Sequence, residues 1–347
     1  MTPQGPSIRI IIPCRHADGT LEACLASVCG FPIPGSEIVV VDDGGNTTLD
    51  RLSAAYPISV VRSEGKGSAG AARNAGARGC NARVLVFLDA DVAPERPETI
   101  ALLASSILEG KAQASVGRYG TAARDTFAAT YKQRYLAYTY GVRAGDLKNT
   151  FWSALCAVDR TTFEVIGGFK ESYAGAGPED IEFGISLTAH GFGIRAVPDA
   201  VGQHLKQFSL RGLMMNDLKK GTEDVFIHWS RRVAITENRH VGWADMLAVA
   251  FAILGLCLLV VSPFIGPIPS LCILGAYGMT RKKFLAGAFG GYGVGFALRS
   301  AAMTFVLDLV RGVATVLGTL LYGIHLSRRG RWSPFMTPNA AGTLHKS

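Results

Sequence analysis

A chain of 347 residues is too long for one small domain and fits one large domain with an appendage. Its apolar residues, 48% of the total, are unevenly spread: roughly the first 240 residues read as an ordinary soluble α/β protein, and the rest is largely hydrocarbon. The net charge of +8 comes without an aromatic-interleaved basic stripe in the soluble part, which argues against a nucleic-acid partner.

In chain order, Ile8 to Ile12 predicts a first strand, ended by Pro13. Thr20 is placed to cap a helix through Ser27, with Leu21, Leu25 and Val28 on one face. A second buried strand, Glu37 to Val41, runs directly into Asp42-Asp43-Gly44-Gly45, and Ile58 to Val61 predicts a third. These spacings predict a parallel, doubly wound sheet. The run Gly65 to Gly76 reads as a glycine-rich loop entering a helix, but its Gly65-Lys66 order is not that of a P-loop. Arg73 in that helix has the bidentate geometry to pair with a diphosphate, although a surface arginine without a role fits as well.

Val84 to Leu88 is unbroken apolar sequence, which predicts a strand buried on both faces. Asp89-Ala90-Asp91 follows at its C-terminal end, where open α/β sheets bind ligands. Alternate residues on an extended chain point the same way, so Asp89 and Asp91 can share one target. Two hard oxygen ligands there suit Mg²⁺ or Mn²⁺ carrying a diphosphate; a solvated turn is the plainer reading.

Further on, Pro94 to Leu108 predicts an amphipathic helix, and Ala122 to Tyr140 a helix whose tyrosines fit either core packing, the plainer reading, or a platform against a sugar or lipid. Phe151 to Val158 predicts a strand and Gly167-Gly168-Phe169 a tight turn. Pro178 leads into a helix from Ile181 to Ala189, so Glu179 and Asp180 stand at its positive end. Capping would explain one acid; two are compatible with a general base. A strand from Gly193 to Val197 and a loop from Pro198 to Gly202 precede His204, by itself a structural histidine, but beside a D-x-D a candidate metal ligand.

Taken in order, Ile10-Ile11-Ile12-Pro13, Val39-Val40-Val41-Asp42-Asp43-Gly44, Ala71-Ala72-Arg73-Asn74-Ala75-Gly76, Phe87-Leu88-Asp89-Ala90-Asp91, Gly167-Gly168-Phe169 and Glu179-Asp180 resemble the family 2 glycosyltransferases of GT-A fold, over about residues 7 to 210. The resemblance implies a Rossmann-like, mostly parallel sheet with flanking helices, and an inverting transfer from a nucleotide-diphosphate sugar, commonly a UDP-sugar, with a divalent metal. On the matching positions it assigns Asp42 or Asp43 to the base or ribose, with Pro13 and Ala90 beside the donor. Arg73 would steady the nucleotide, and Asp89 would contact the ribose side. Asp91 would ligate the metal, with His204 approaching it. Asp180 would be the general base, and Glu179 would help orient the acceptor. Pro13-Cys14-Arg15-His16, Gly44-Gly45-Asn46-Thr47 and Lys170 depart from the family pattern, and the Q-x-x-R-W signature of processive synthases is missing. One sugar per encounter is therefore expected.

The C-terminal part carries no charge from Met246 to Met279, and a second apolar region, Phe284 to Ile324, is interrupted by Arg299, Asp308 and Arg311. A spanning helix needs ~20 residues, so α-helical membrane or interfacial segments are expected here. Asp308 and Arg311, three apart, are spaced to neutralise each other, and Gly312, Ala314, Gly318 and Gly323 favour close helix packing. Basic clusters at Arg231, Arg232 and Arg239, at Arg281, Lys282 and Lys283, and at Arg328, Arg329 and Arg331 flank the apolar stretches as on the cytoplasmic side of a membrane. An odd count of seven cysteines with no C-x-x-C points to reduced thiols, and no signal-peptide core is expected after Pro3 and Pro6.

The organisation expected is a GT-A catalytic domain over 1–240, transmembrane or interfacial helices over 241–330 and a polar tail over 331–347. The partners expected are a nucleotide-diphosphate sugar, a lipid-linked or glycan acceptor and membrane lipids, with the catalytic domain on the cytoplasmic face of a cell's inner membrane. A sugar nucleotidyltransferase and a non-catalytic nucleotide-sugar-binding subunit are the rival readings.

Overall fold

The structure, a computed structural model, describes residues 7–15, 19–45, 48–63, 67–141, 144–173, 177–231 and 242–328. The polar tail, Lys66, Arg232, Arg239, Arg329 and Arg331 lie outside the described residues. Two compact units divide the rest. One takes residues up to Ala122 and Tyr140–Lys206; the other takes Ala123–Thr139 and the chain from Gln207 onward.

The first unit is built on one sheet. Its strands are β1 (Ile8–Cys14), β2 (Ser36–Asp42), β3 (Ser59–Arg62), β4 (Val84–Leu88), β5 (Val92–Pro94), β6 (Ala114–Tyr119), β7 (Gly145–Leu147), β8 (Leu155–Asp159) and β9 (Ile194–His204). They lie in the order β3-β2-β1-β4-β8-β6-β9-β5, with β7 against β9. The β3-β2-β1-β4 part is parallel, as expected, and β8 then enters antiparallel to β4 and β6, so the whole sheet is mixed. β1 leads to β2 on one side and neighbours β4 on the other, the kind of switch point where α/β sheets open a crevice. All five residues of β4 are buried, because both faces are covered.

Helices α1 (Gly19–Gly30), α2 (Thr48–Ala55), α3 (Ala69–Ala77), α4 (Thr99–Leu108), α6 (Arg160–Ile166) and α7 (Glu179–Ala189) flank the sheet, while α5 (Phe127–Thr139) belongs to the second unit. α3 packs as its small residues foretell: a Cβ at Gly76 would stand 2.5 Å from Ile11 and 2.8 Å from Val41. Phe87 of β4 meets Phe169 edge-on at 5.1 Å, and Phe169 meets Phe183 of α7 at 4.6 Å, inside the principal core.

β6 shows no alternation because nearly all of it is buried, and at its Gly117 a Cβ would stand 2.5 Å from the Ala200 carbonyl. The loop expected at 198–202 is part of β9, pairing with β6 across a register shift at Val116/Arg118, and Arg118 Nε donates to the Pro198 carbonyl at 2.6 Å.

The second unit comprises α5, α8 (Leu210–Arg231), α9 (Trp243–Ile265) and α10 (Ile268–Ser327). α9 and α10 are each long and apolar enough to cross a membrane. α10 kinks at Gly293, whose φ of 78° suits only glycine without strain. Tyr131 and Tyr135 pack with Phe284, Met303 and Leu307, the core role expected of the α5 tyrosines. Gly312 lets Ile253 approach and Gly318 lets α8 approach at the Thr222 carbonyl.

Charged residues run through this unit as a ladder. Lys132 Nζ is 3.0 Å from Asp217, Arg311 bridges Asp217 (2.6 Å) and Asp308 (2.8 Å), and Arg281 bridges Asp308 (2.7 Å) and Asp245. The Asp308–Arg311 pair was legible from its spacing. Arg281 was not: expected in an exposed basic cluster, it is 1% exposed and bound between two aspartates. Its distant partners, 36 residues before and 27 after it, are what take it out of the cluster.

Candidate active site

The site forms at the C-terminal rim of β1, β2 and β4, and α3 holds it together. Ser68 caps α3 by accepting from the Ala71 amide. One turn later Arg73, 4% exposed, donates from Nη2 to Asp89 Oδ1 (2.8 Å) and from Nη1 to Glu179 Oε1 (2.7 Å). Three segments far apart in sequence thus meet at one guanidinium. The guanidinium expected to face a diphosphate is held by these two carboxylates, which fix its position at the rim.

Asp89 and Asp91 follow β4 with Ala90 between them, and all three are partly buried. The Val92 amide closes that turn onto the Asp89 carbonyl at 2.9 Å. β5 pairs with β9 so that Val92 faces His204, and this brings His204 Nε2 to 3.8 Å from Asp91 Oδ2. Tyr119 packs edge-on against His204 at 5.7 Å. Burial raises the Tyr119 phenol well above its ordinary range, and Tyr140, Asp89, Asp91 and Asp180 add to the effect.

Behind β2, Asp42 and Asp43 differ. Asp42 is 5% exposed, and its Oδ1 accepts from the Gly44 (3.1 Å) and Gly45 (2.9 Å) amides, so it shapes the loop. Asp43 is pushed up chiefly by burial, against hydrogen bonds from Ser63 and Gly67, and its Oδ1 is buried with no hydrogen-bond partner among the described residues. Pro13 pairs with Val41 beside them, and the Asp43 amide donates to the Cys14 carbonyl.

On the α7 side, Glu179 is 3% exposed and accepts from the Gly177 amide as well as Arg73. Burial pushes its carboxyl up to about 7, against the pull of Arg73. Asp180 is only partly buried, its Oδ1 accepting from the Ile181 amide at 2.8 Å in the first turn of the helix.

Asn74, next to Arg73 on α3, ties that helix to the turn at Phe169. Its Nδ2 donates to the Phe169 carbonyl (2.7 Å) and Glu171 (2.8 Å), and its Oδ1 accepts from the Phe169 amide (2.9 Å). Gly70 and Gly168 make room for that contact, a Cβ at either falling within 2.6 Å of the facing segment. A pattern of residue types carries no sign of such a pairing across 95 residues. Lys170, a departure from the family pattern, sits 3.6 Å from Glu182.

No group of three or more His, Cys, Asp or Glu able to hold a metal occurs among the described residues. Asp91 and His204 offer two donors, one hard oxygen and one imidazole nitrogen. A hollow of about 400 Å³ lies away from these acids, near Arg78, Glu164 and Glu171, where Arg78 and Glu171 pair with each other.

Residues 9–166 match the family model described as glycosyl transferase family 2. Over 250 residues the chain is 26% identical to validoxylamine A glucosyltransferase of Streptomyces hygroscopicus subsp. limoneus, covering 61% of this chain and 55% of that protein. Over 100 residues it is 33% identical to pre-mycofactocin glycosyltransferase of Mycobacterium tuberculosis, covering 27% of this chain and 20% of that one. The chain therefore spans about half the length of the glucosyltransferase it matches. Among solved structures, the mannosyltransferase PcManGT from Pyrobaculum calidifontis, in complex with GDP-Man and Mn²⁺, superposes with a TM-score of 0.51 at 17% identity, covering 95% of this chain and 88% of that one. With the ordered motifs, the rim of acids at the switch point and these matches, the first unit has a GT-A-like fold, and its residues 9–166 are those that match glycosyl transferase family 2.

Proposed function

We propose that the enzyme transfers one sugar from a nucleotide-diphosphate sugar, a UDP-sugar in the first instance, to a hydroxyl of a lipid-linked or cell-envelope glycan acceptor, with inversion. The observation that carries this reading is the double ion pair of Arg73, which ties Asp89 on the donor side to the first turn of α7. Asp180 is thereby held one residue from a fixed point. The glucosyltransferase match and the GDP-Man and Mn²⁺ of the structural neighbour support a donor and a divalent metal of this class.

In this reading Asp180 accepts the proton of the acceptor hydroxyl. The acceptor oxygen forms its bond to the anomeric carbon from the face opposite the diphosphate, and the sugar–phosphate C–O bond breaks with its electron pair leaving on the nucleoside diphosphate. A single displacement of this kind inverts the centre. The positive end of α7 favours the ionised form of Asp180 that a base needs. Asp43 takes the base or ribose through its unpartnered oxygen, Asp42 shapes the loop, and Pro13 and Ala90 border the donor. Asp89 meets the ribose side, and Arg73 acts through it as a positioning residue. Glu179 fixes the start of the acceptor side.

Asp91 and His204, one hard oxygen and one imidazole nitrogen, would hold a divalent ion of the kind commonly bound by few protein groups together with substrate phosphates. What Mg²⁺ or Mn²⁺ supplies there is charge for the leaving diphosphate, a contact of a kind worth ~3 kcal/mol. The apolar α9 and α10 would hold a catalytic domain over 1–240 at the cytoplasmic face of the inner membrane, with 241–330 as the anchor.

The test incubates membranes carrying the protein with labelled UDP- and GDP-sugars and asks whether label enters the lipid-extractable fraction. Asp180→Asn and Asp91→Ala should each lower nucleotide-sugar turnover ~10²-fold or more. Full activity in either variant would remove the site assignment.

A further inference from the structure

Within the second unit, the buried cations Lys132 and Arg281 and the partly buried Arg311 are each matched to Asp217, Asp245 or Asp308. Two other arginines form no ion pair with a carboxylate among the described residues. Arg134 of α5 lies over the Tyr292 ring at 5.0 Å and donates from Nη2 to the Gly287 carbonyl at 2.6 Å. Arg299 of α10 is exposed and lies 4.3 Å over Phe127. The rings between them are continuous: Phe127 meets Phe296 at 5.4 Å, and Phe296 meets Tyr292 at 4.8 Å.

A guanidinium thus stands at each end of an aromatic platform that crosses the α10 kink at Gly293. The seat of Arg134 is shaped for it, since a Cβ at Gly291 would fall 2.7 Å from its Nη1. Around the platform the helix turns hydrocarbon outward, with Phe289 56%, Val294 58% and Leu298 67% exposed. Cations left without acids amid outward hydrocarbon, with aromatic rings at the same level, match the boundary where phosphates lie above lipid tails. Arginine suits that partner because its planar fork grips phosphate oxygens in pairs.

We propose that Arg134 and Arg299, at the two ends of the Phe127–Phe296–Tyr292 platform, hold the headgroup phosphates of anionic phospholipids along the kink of α10. The proposal rests on the membrane reading of α9 and α10 given above.

Native mass spectrometry of the full chain in detergent, with phosphatidylglycerol or phosphatidylcholine added, tests it. The wild type should retain phosphatidylglycerol in preference. Arg134→Gln/Arg299→Gln should reduce that retention about thirtyfold, from two lost headgroup contacts of a lysine or arginine each. Gly291→Val removes no charge and should weaken retention by unseating Arg134. Lys282→Gln/Lys283→Gln, which changes exposed lysines of the same helix, should leave retention intact. Should the double variant not fold, Arg299→Gln alone, at an exposed position, should cost about fivefold. Absence of a preference in the wild type, or equal loss in the lysine variant, would overturn the site. Equal displacement by millimolar inorganic phosphate would mean a free-anion site and would overturn it too. Flotation on neutral phosphatidylcholine vesicles separates the premise from the proposal. A wild type that fails to float sinks the membrane reading, whereas variants that float but no longer select phosphatidylglycerol support the headgroup site.

Discussion

Burial and ion pairing pull Glu179 in opposite directions, and burial prevails. Its carboxyl, ordinarily near 4.5, is raised to about 7 although Arg73 stands 2.7 Å away. Between those values the folded chain keeps a proton that the unfolded chain has lost. This contribution to stability is therefore fully present below the unfolded value and is lost as pH rises through 7. Glu179→Gln has no proton to lose, so the wild type should lose stability relative to that variant as pH goes from 4.5 to 7, read as the difference in thermal midpoints. Parallel profiles would show that the guanidinium, not burial, governs the group. At this scale the sequence was informative about residue type and silent about commitment. It placed Asp42 and Asp43 together after a strand, but which carboxylate is used up by Gly44 and Gly45 depends on loop geometry. It singled out Arg73 by type, but the two acids that hold it at 4% exposure are brought there by packing.

α3 is the element on which the end of β4, the start of α7 and the turn before it are all fastened: Arg73 reaches Asp89 and Glu179, and Asn74 pins the turn at Phe169. That turn leads through Glu171 toward α7 and its Asp180. Asn74→Ala removes three hydrogen bonds at once and frees the turn to drift. A misplacement of about 1 Å can cost ~10²-fold, so kcat should fall between about tenfold and a hundredfold. KM for the donor should change much less, because Asp43 and Asp89, the groups proposed to meet it, directly follow β2 and β4 and not the freed turn. Asn74→Asp keeps the acceptor for the Phe169 amide and should fall between. An unchanged kcat with only a lower melting temperature would mean that Asn74 merely stabilises the fold. Strands β1, β2 and β4 and the helix after Pro178 were legible because period and turn residues agree there. β6 and the second half of β9 were not, since their pairing turns on Gly117 and a register shift that no local pattern announces.

At the scale of the molecule, the two units solve the burial of apolar residues differently. The first folds them inward, leaving Cys14, Cys24 and Cys156 buried, and burial drives the last two thiols far above their ordinary range. The second turns them outward: the most apolar stretch of α9 is only 17% buried, and Phe264 is 89% exposed. Patches of that kind are stable in water only when something covers them. Cys257 and Cys272 stand on the same outward surface and report what the cover is. A thiol reacts with maleimide through its thiolate, which forms in water and not in hydrocarbon. If lipid is the cover, a charged maleimide applied to both faces of the membrane should leave Cys257 and Cys272 as unlabelled as the buried Cys14, Cys24 and Cys156, and all five should label once SDS has unfolded the chain. Labelling of either helix cysteine in native membranes would mean that water, or a face exposed for another protein, lies where the bilayer is expected, and the anchoring role of α9 and α10 would fall with it.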